Sequence, residues 1–196
     1  MRVHQIINDI DLDSGGAQKL ALQLHKYLSD LNLTSFLVGI SKNKTPNSGK
    51  IFYTKLKTPY SLKYVLFLYK YMKRNVKNHD IVHVHLFPSI LYISIFKSLG
   101  LIPKNTRILM TEHNSYNRRR SSIFGKFLDY FIYNHFNQII AISDGVKSSL
   151  SKHINNSEKI FVIYNGVEIK FKKFQKRIKN KKIKIISVGR LHIQKN

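Results

Sequence analysis

The sequence predicts an α/β fold, namely a doubly wound parallel sheet of the Rossmann-like kind. Short runs rich in Ile and Val alternate along the chain with longer amphipathic stretches, and this alternation is typical of parallel sheets with helices on their faces. The chain has 196 residues, 43% of them hydrophobic. That is enough for one full domain with a sizeable core and too little for two domains of ordinary size.

The strands are predicted at the short β-branched runs, which polar loops separate from one another. The amino terminus itself reads as the first strand. In chain order the predicted strands cover residues 3–8, 35–40, 81–85, 107–111, 138–142, 160–163 and 183–188.

The helices are predicted where apolar residues recur at helical spacing, as Leu20, Leu24 and Leu28 do. A shorter helix is predicted to follow Ser143, whose hydroxyl suits an N-cap, and to run to Leu150. The longer predicted helices cover residues 17–31, 61–76, 89–99 and 123–136.

The composition excludes several classes of protein. The chain has no cysteine, which excludes a disulfide framework and any zinc site built on thiolates. The first residues lack the apolar segment of a secretory signal, and the most apolar later stretch, 86–96, is too short to span a bilayer and contains Pro88. We therefore expect a cytoplasmic protein, with peripheral contact to the inner face of the cell membrane left open.

The formal net charge of +24 has three competing explanations. It suits a nucleic-acid-binding protein, it equally suits a protein on an anionic membrane leaflet, and a Lys-, Asn- and Ile-rich composition also reflects an AT-rich genome. No helix-turn-helix, zinc-finger or RNA-recognition signature accompanies the charge. We therefore do not expect a nucleic-acid partner.

The first loop, residues 9–18, follows a predicted strand and leads into a helix. Its paired Gly15 and Gly16 would let backbone N–H groups approach an anion at the helix N-terminus, although the same pattern also makes an ordinary tight turn. The loop contains two overlapping D-x-D patterns within Asp9–Asp13. We expect them to be solvated and do not predict a metal site there.

Two further segments place histidines at predicted strand ends. His83 and His85 fall on one face of their strand. We expect His85 to point into a cleft and His83 to hydrogen-bond within the sheet. His113 follows another strand, at the edge where open α/β sheets bind ligands, and an imidazole there can donate to a phosphate or sugar hydroxyl or move a proton. Glu112 is either a general base or a partner for the arginines that follow it.

Two basic segments have open interpretations. The run Arg118–Arg120 is either a solvated loop or a clamp for an acceptor that carries a pyrophosphate. Residues 60–77 combine tyrosines and phenylalanines with lysines, which is typical both of a helix docked on anionic lipid and of a core helix with a charged outer face.

Several segments resemble the family 4 glycosyltransferases, which are two-domain enzymes of the GT-B fold. The terminal G-R-L-x-x-Q-K-N resembles the start of their second domain. Other segments resemble elements of their first domain. These are G-G-A at 15–17, D-I-V-H-V-H at 80–85, T-x-H at 111–113, I-I-A-I-S-D at 139–144 and V-I-x-N-G-V at 162–167.

The resemblance implies transfer of a hexose from a nucleotide-sugar donor to a polysaccharide or lipid-linked oligosaccharide acceptor, with retention and without a cofactor or a protein-bound metal. It implies that His113 is the catalytic residue of this half. It also implies that the donor phosphates are bound by Gly15, Gly16, Arg190 and Lys195. The acceptor or cleft residues would be His85, Glu112, Asn114, Arg118, Arg119 and Arg120.

The predicted domain organisation is a first domain over residues 1–168, a linker over 169–182 and the start of a second domain over 183–196. The linker belongs to a stretch, 169–184, in which nine of sixteen residues are Lys or Arg. No acidic residue follows Glu168, so the paired glutamates of the family's second domain are absent. We therefore expect a glycosyltransferase fragment that is inactive alone. The alternatives are a non-catalytic half that recruits an acceptor or membrane to a separate donor-binding subunit, and a basic nucleic-acid-binding module.

Overall fold

Seven parallel strands form one sheet in the order β3-β2-β1-β4-β5-β6-β7 in a computed structural model of the chain, which confirms the predicted fold class. The structure describes residues 1–11, 15–42, 50–154 and 156–166. The strands are β1 Arg2–Asp9, β2 Thr34–Ile40, β3 Ile51–Thr54, β4 Ile81–His85, β5 Arg107–Glu112, β6 Gln138–Ala141 and β7 Ile160–Val162. The helices are α1 Gly16–Asp30, α2 Leu62–Asn75, α3 Ser89–Ser98, α4 Ile123–Asn134 and α5 Asp144–Ser151, with 3₁₀ helices at Arg118–Ser121 and Ser157–Lys159.

The strand order reverses between β1 and β4. The chain runs outward from β1 through β2 to β3, then returns to place β4 on the other side of β1 and continues outward to β7. Open α/β sheets bind ligands outside the carboxyl ends of the strands at such a reversal. The topology therefore places the candidate site beyond the ends of β1, β4 and β5.

The two faces of the sheet are covered by different helices. Ile6, Val84 and Met110 belong to the larger apolar cluster, which also contains the buried side chains of α2, α3, α4 and α5. Ile7 belongs to a smaller cluster with Ala21 of α1. Each fully buried aliphatic or aromatic side chain stabilises the fold by about 1.5–3 kcal/mol, so the larger cluster contributes most of the stability.

Strand β3 was not predicted from the sequence. It has four residues, none of them fully buried, and it pairs with β2 alone at the edge of the sheet. An edge strand of this length has little apolar alternation to identify it.

The carboxyl-terminal predictions lie outside the described residues. These are the linker at 169–182 and the strand at 183–188. The chain separates into two compact units, Met1–Asn165 and Gly166–Asn196, and only Gly166 of the second unit is described. The domain boundaries at 168 and 182 therefore stay predictions.

Helix α2 presents its aromatic residues mainly to the core. Tyr64 is fully buried, and its hydroxyl donates to the carbonyl oxygen of Ile7 at 3.2 Å. Tyr71 is also buried and forms a 2.6 Å hydrogen bond with His4 Nδ1. Of the two interpretations of residues 60–77, the structure thus favours a core helix. No helix within the described ranges is long and apolar enough to cross a membrane.

Candidate active site

The ends of β1 and β4 are held together at the strand-order reversal by Asn8. Its Nδ2 donates to the carbonyl oxygen of Phe87 at 2.7 Å, and its Oδ1 accepts from Ser89 Oγ at 2.6 Å. One amide side chain thereby fixes the turn between β4 and α3 against the end of β1. This gives the floor of the candidate site a defined shape before any ligand is present.

Gly15 and Gly16 lie at the start of α1, at the same edge of the sheet. Gly15 has φ 154°, in a region that favours glycine. Among the residues that the structure describes, no side chain caps the first N–H groups of this helix. A Cβ at Gly16 would meet no atom of the described residues within 4 Å, and an anion can approach the backbone there. Arg190 and Lys195, the other predicted phosphate contacts, lie outside the described residues.

Asp9 and Asp11 of the first loop accept hydrogen bonds from groups of the protein itself. Asp9 Oδ1 accepts from the backbone N–H of Asp11 at 2.7 Å. Asp11 accepts from Ser41 Oγ and from the N–H of Lys42, both at 2.9 Å. These bonds tie the loop to the end of β2. Within the described ranges, no group of three His, Asp or Glu side chains is placed to share a metal ion.

Three histidines form a compact group on the α1 face of β4 and β5. His83 Nε2 forms a 2.7 Å hydrogen bond with Thr111 Oγ1, as expected for a bond within the sheet. His85 is fully buried, so the expectation that it points into the cleft is wrong. Instead, its Nε2 lies 2.9 Å from Gln5 Oε1 and its Nδ1 lies 3.4 Å from His113 Nε2.

All three imidazoles are neutral at physiological pH. Burial lowers the pKa of His83 to about 3 and that of His113 to about 4. Burial and the two neighbouring imidazoles lower the pKa of His85 well below its ordinary value. A neutral imidazole has one N–H donor and one lone pair, so His113 can exchange hydrogen bonds with a ligand but does not present a fixed positive charge.

Glu112 belongs to a buried ionic network. Its Oε2 accepts from Tyr133 OH at 3.1 Å and from Arg120 Nη2 at 3.4 Å. Burial raises the pKa of Glu112, while the Arg120 guanidinium opposes that rise. Of the two interpretations of Glu112, the geometry favours the arginine partner, because the carboxylate is enclosed by donors from its own chain.

Arg120 belongs to the same network, and the structure does not support it as an acceptor-binding residue. Only 8% of Arg120 is exposed. Its Nε donates to Asp129 Oδ2 at 3.0 Å and its Nη1 to Ser149 Oγ at 3.3 Å. Because its guanidinium is enclosed within the protein, Arg120 is not free to hold a substrate.

Arg119 lies beside a cavity of about 200 Å³ at the ends of β4 and β5. Its guanidinium carbon lies 4.0 Å from the centre of the Phe87 ring, and Nη2 lies 3.0 Å from Asp129 Oδ1. Arg118 belongs to the same 3₁₀ helix, but its side chain is outside the described part of the structure. The cavity is also lined by Asn114, Tyr116 and Asn117.

Sequence reasoning missed several residues of this region. Gln5 was detectable in principle, because it is a polar residue between apolar neighbours in a predicted strand. Asn8 and Asp129 gave no such signal, since each is an ordinary polar residue until the fold brings its partners to it. Phe87 lines the cavity only because two loops meet there.

The family-level comparison decides the affiliation of the chain. Residues 14–171 match the family model named Glycosyltransferase Family 4. The chain belongs to this family. The match covers most of the chain and confirms the resemblance found in the sequence. No curated protein sequence matches it significantly.

Solved GT-B structures share the fold of this family 4 chain. It is similar to the lipopolysaccharide outer core galactosyltransferase WaaB in its apo form, with a TM-score of 0.58 and 17% identity over 87% of this chain and 47% of WaaB. It is also similar to HepE of Anabaena in complex with UDP and glucose, with a TM-score of 0.55 and 14% identity over 86% of this chain and 45% of HepE.

The fold alone does not separate transferases from other enzymes. UDP-GlcNAc 2-epimerase from Methanocaldococcus jannaschii gives a TM-score of 0.57 at 12% identity, over 84% of this chain and 46% of that one. The family match, not the fold, therefore carries the assignment to glycosyltransferases. The chain spans about half the length of these solved structures.

Proposed function

We propose that the protein transfers a hexose from a nucleotide sugar to a polysaccharide or lipid-linked oligosaccharide acceptor, with retention of configuration and without a cofactor or a protein-bound metal. The observation that carries this proposal is the placement of the Gly15–Gly16 turn and His113 at one edge of the sheet, beside the strand-order reversal. In a family 4 chain, this edge is where a phosphate and a sugar can be bound together.

The donor phosphates would bind at the start of α1. The open space at Gly16 and the uncapped N–H groups support this assignment, because a helix N-terminus carries partial positive charge. Arg190 and Lys195 would neutralise the leaving diphosphate, since charge-assisted bonds to phosphate are about twice as strong as neutral ones. HepE was solved with UDP, and a nucleoside diphosphate sugar is the donor class proposed for this chain.

The acceptor would occupy the cavity beside Arg119. Its lining combines two aromatic rings, Phe87 and Tyr116, with the side-chain amides of Asn114 and Asn117. Rings offer an apolar surface to the C–H groups of a sugar, while amides and a guanidinium supply donors for its hydroxyls. This assignment retains Asn114 and Arg119 as acceptor residues and leaves out Arg120.

A membrane-bound acceptor is supported by the outer face of α4. Ile123, Phe124 and Phe127 are 89%, 77% and 71% exposed. Helical spacing puts them on one side of the helix, with half-exposed Tyr130 next along the stripe. The 3₁₀ helix that contains Arg119 immediately precedes α4, so this apolar stripe begins beside the proposed acceptor cavity.

The charge of the protein indicates an anionic bilayer as the occupant of this face. Asp129, the acidic residue of α4, is buried and paired with two arginines, whereas Lys126 is exposed. With a net charge of +24, the protein is attracted to anionic lipid, and exposed phenylalanines can insert at the headgroup level.

Co-sedimentation with phosphatidylglycerol–phosphatidylcholine vesicles tests this contact. We expect Phe124→Ser/Phe127→Ser to lower the bound fraction at least about tenfold, because two exposed phenylalanines no longer insert. Leu62→Ser/Leu66→Ser, which removes exposed apolar residues of α2, is the matched control and should bind as the unaltered protein does. Equal binding by both variants, or loss only in the control, would reject α4 as the membrane face. A dimer dissociated by the α4 changes would show that a second copy covers it.

Deletion of the gene tests the transferase function itself. We expect the deletion strain to lack one hexose in a surface polysaccharide or lipid-linked oligosaccharide, and a plasmid copy of the gene to restore it. A copy with His113→Ala should fail. Unchanged glycans in the deletion strain would contradict the proposal, and full restoration by His113→Ala would support the non-catalytic recruiting role instead.

A further inference from the structure

Three hydrogen-bonded side chains connect the interior of the sheet to the candidate site. Gln5 of β1 and His85 of β4 are 1% and 0% exposed, and His113 follows β5 at the sheet edge. The contacts are 2.9 Å from Gln5 Oε1 to His85 Nε2 and 3.4 Å from His85 Nδ1 to His113 Nε2. Among the described residues, no hydrogen bond occupies Nδ1 of His113.

The amide oxygen of Gln5 determines which nitrogens of His85 and His113 carry a hydrogen. An amide oxygen can only accept, so His85 Nε2 carries a hydrogen and donates it to Gln5. His85 is neutral, and its Nδ1 therefore has a lone pair that accepts from His113 Nε2–H. Because His113 is neutral as well, its remaining nitrogen, Nδ1, is left with a lone pair.

We propose that Gln5 and His85 are positioning residues that hold His113 in the Nε2–H tautomer and leave its Nδ1 as a hydrogen-bond acceptor for a substrate hydroxyl. This inference rests on the proposed function. It restricts the ligand group that His113 Nδ1 can bind, because a lone pair attracts the O–H of a sugar and repels the oxygens of a phosphate. The phosphate contacts of the donor would then come from other groups, such as the start of α1.

The burial of Gln5 supports a role of this kind. Within the described ranges, its Nε2 is the buried side-chain nitrogen without a hydrogen-bond partner. Leaving such a group unpaired is unfavourable, and an apolar side chain in β1 would avoid it. The hydrogen bond between its Oε1 and His85 Nε2 is the interaction that an apolar side chain could not make.

The opposite orientation of the Gln5 amide makes an opposite prediction. If Gln5 Nε2 faced His85, it would donate to His85 Nε2, and His85 Nδ1–H would donate to His113 Nε2. His113 would then present an Nδ1–H donor to the cleft. Amide orientations and imidazole tautomers follow from hydrogen-bond networks, so a direct determination of the tautomer separates the two arrangements.

Long-range ¹H–¹⁵N NMR of the imidazoles in the ¹⁵N-labelled chain at pH 7 provides this test without a donor or an acceptor. We expect His85 and His113 each to show a protonated Nε2 and an unprotonated Nδ1. Gln5→Met, which keeps the length of the side chain but removes its oxygen, should abolish the single tautomer of His113. Thr111→Val is the matched control: it removes the partner of His83 and should leave the tautomer of His113 unchanged.

Two results would overturn the inference. One is an Nδ1–H tautomer of His113 in the unaltered chain. The other is an unchanged His113 spectrum in Gln5→Met when the backbone amide spectrum shows that this variant is folded. Inorganic phosphate is the ligand probe, and it should not draw a proton onto Nδ1. If phosphate converts His113 to the doubly protonated form, the hydroxyl preference is wrong even if a deletion strain confirms glycosyl transfer.

Discussion

Arg120 and Asp129 form a buried ion pair at the base of the loop that borders the proposed acceptor cavity. Arg120 Nε lies 3.0 Å from Asp129 Oδ2, and Asp129 is 1% exposed. Arg119 binds the other oxygen of the same carboxylate. One aspartate of α4 thus holds two consecutive arginines of the 3₁₀ helix and fixes the course of the loop.

Asp129→Asn should lower the free energy of unfolding by about 3 kcal/mol, because it leaves the buried Arg120 guanidinium with less compensating charge. Arg119→Gln is the control, because Arg119 pairs with the same Asp129 carboxylate. The side chain of Arg119 is 22% exposed and that of Arg120 is 7% exposed, so loss of Arg119 should cost less than loss of the Asp129 charge. Urea denaturation of both variants measures the difference, and equal costs would contradict the assigned importance of the Arg120 pair.

Gly125→Ala should destabilise the protein severely, whereas Gly145→Ala should not. A Cβ at Gly125 would lie 1.7 Å from the carbonyl oxygen of Arg119, so α4 would have to move away from the 3₁₀ helix. A Cβ at Gly145 would meet its nearest atom at 3.8 Å, and alanine is favoured over glycine in a helix by about 0.5–1 kcal/mol. Thermal unfolding of the two variants should shift the midpoint in opposite directions, and a shift in the same direction would contradict the close approach.

Gly16→Ala should separate stability from function. Because a Cβ there meets none of the atoms that the structure describes within 4 Å, urea denaturation should give a stability equal to or slightly above that of the unaltered chain. The added methyl group would nevertheless occupy the space proposed for a donor phosphate. In the deletion strain, we therefore expect a Gly16→Ala copy to restore less of the glycan than the unaltered gene does. Full restoration would place the phosphate elsewhere.

The stability of the protein should fall as the pH is lowered from about 6.5. Unfolded histidine takes up a proton near pH 6.5, whereas His83, with a pKa of about 3, stays neutral in the folded state. The unfolded state therefore binds more protons in this window. Each such buried histidine should reduce the free energy of unfolding by about 1.4 kcal/mol per pH unit.

A comparison between variants isolates this effect from that of Glu112, whose raised pKa acts in the opposite sense. Urea denaturation between pH 7 and pH 5 should show a shallower pH dependence for His83→Gln than for the unaltered chain. The difference in slope should rise towards about 1.4 kcal/mol per pH unit as the pH approaches 5. Identical slopes would show that His83 becomes protonated in the folded protein.

The sequence was sufficient to predict the fold class and most element positions, because alternating patterns of period two and 3.6 are local properties. Ser143 illustrates this, since its hydroxyl accepts from the N–H of Val146 as an N-cap should. Strand β3 was missed because pairing with β2, not its own pattern, makes it a strand.

The site was predictable only in part. The position of His113, Gly15 and Gly16 at one edge of the sheet was predictable because the residues after parallel strands meet there, while their roles stay predictions. The burial of His85 and the enclosure of Arg120 could not be predicted, since both depend on partners far away in sequence, such as Gln5 and Asp129. The residue types showed which functional groups the chain has, whereas the packing of the fold decides which of them a substrate can contact.

The most direct test of the account is glycan transfer in membranes from the deletion strain, incubated with nucleotide sugars labelled in the sugar. Membranes from cells that carry the restored gene should incorporate label from one nucleotide sugar into a lipid-linked or polysaccharide fraction. His113→Ala should reduce this incorporation by about 10²-fold or more, as expected for loss of a group that handles a proton or a hydroxyl in the transition state. Incorporation that is independent of the gene for every nucleotide sugar tested would contradict the central claim that this protein is a hexosyltransferase.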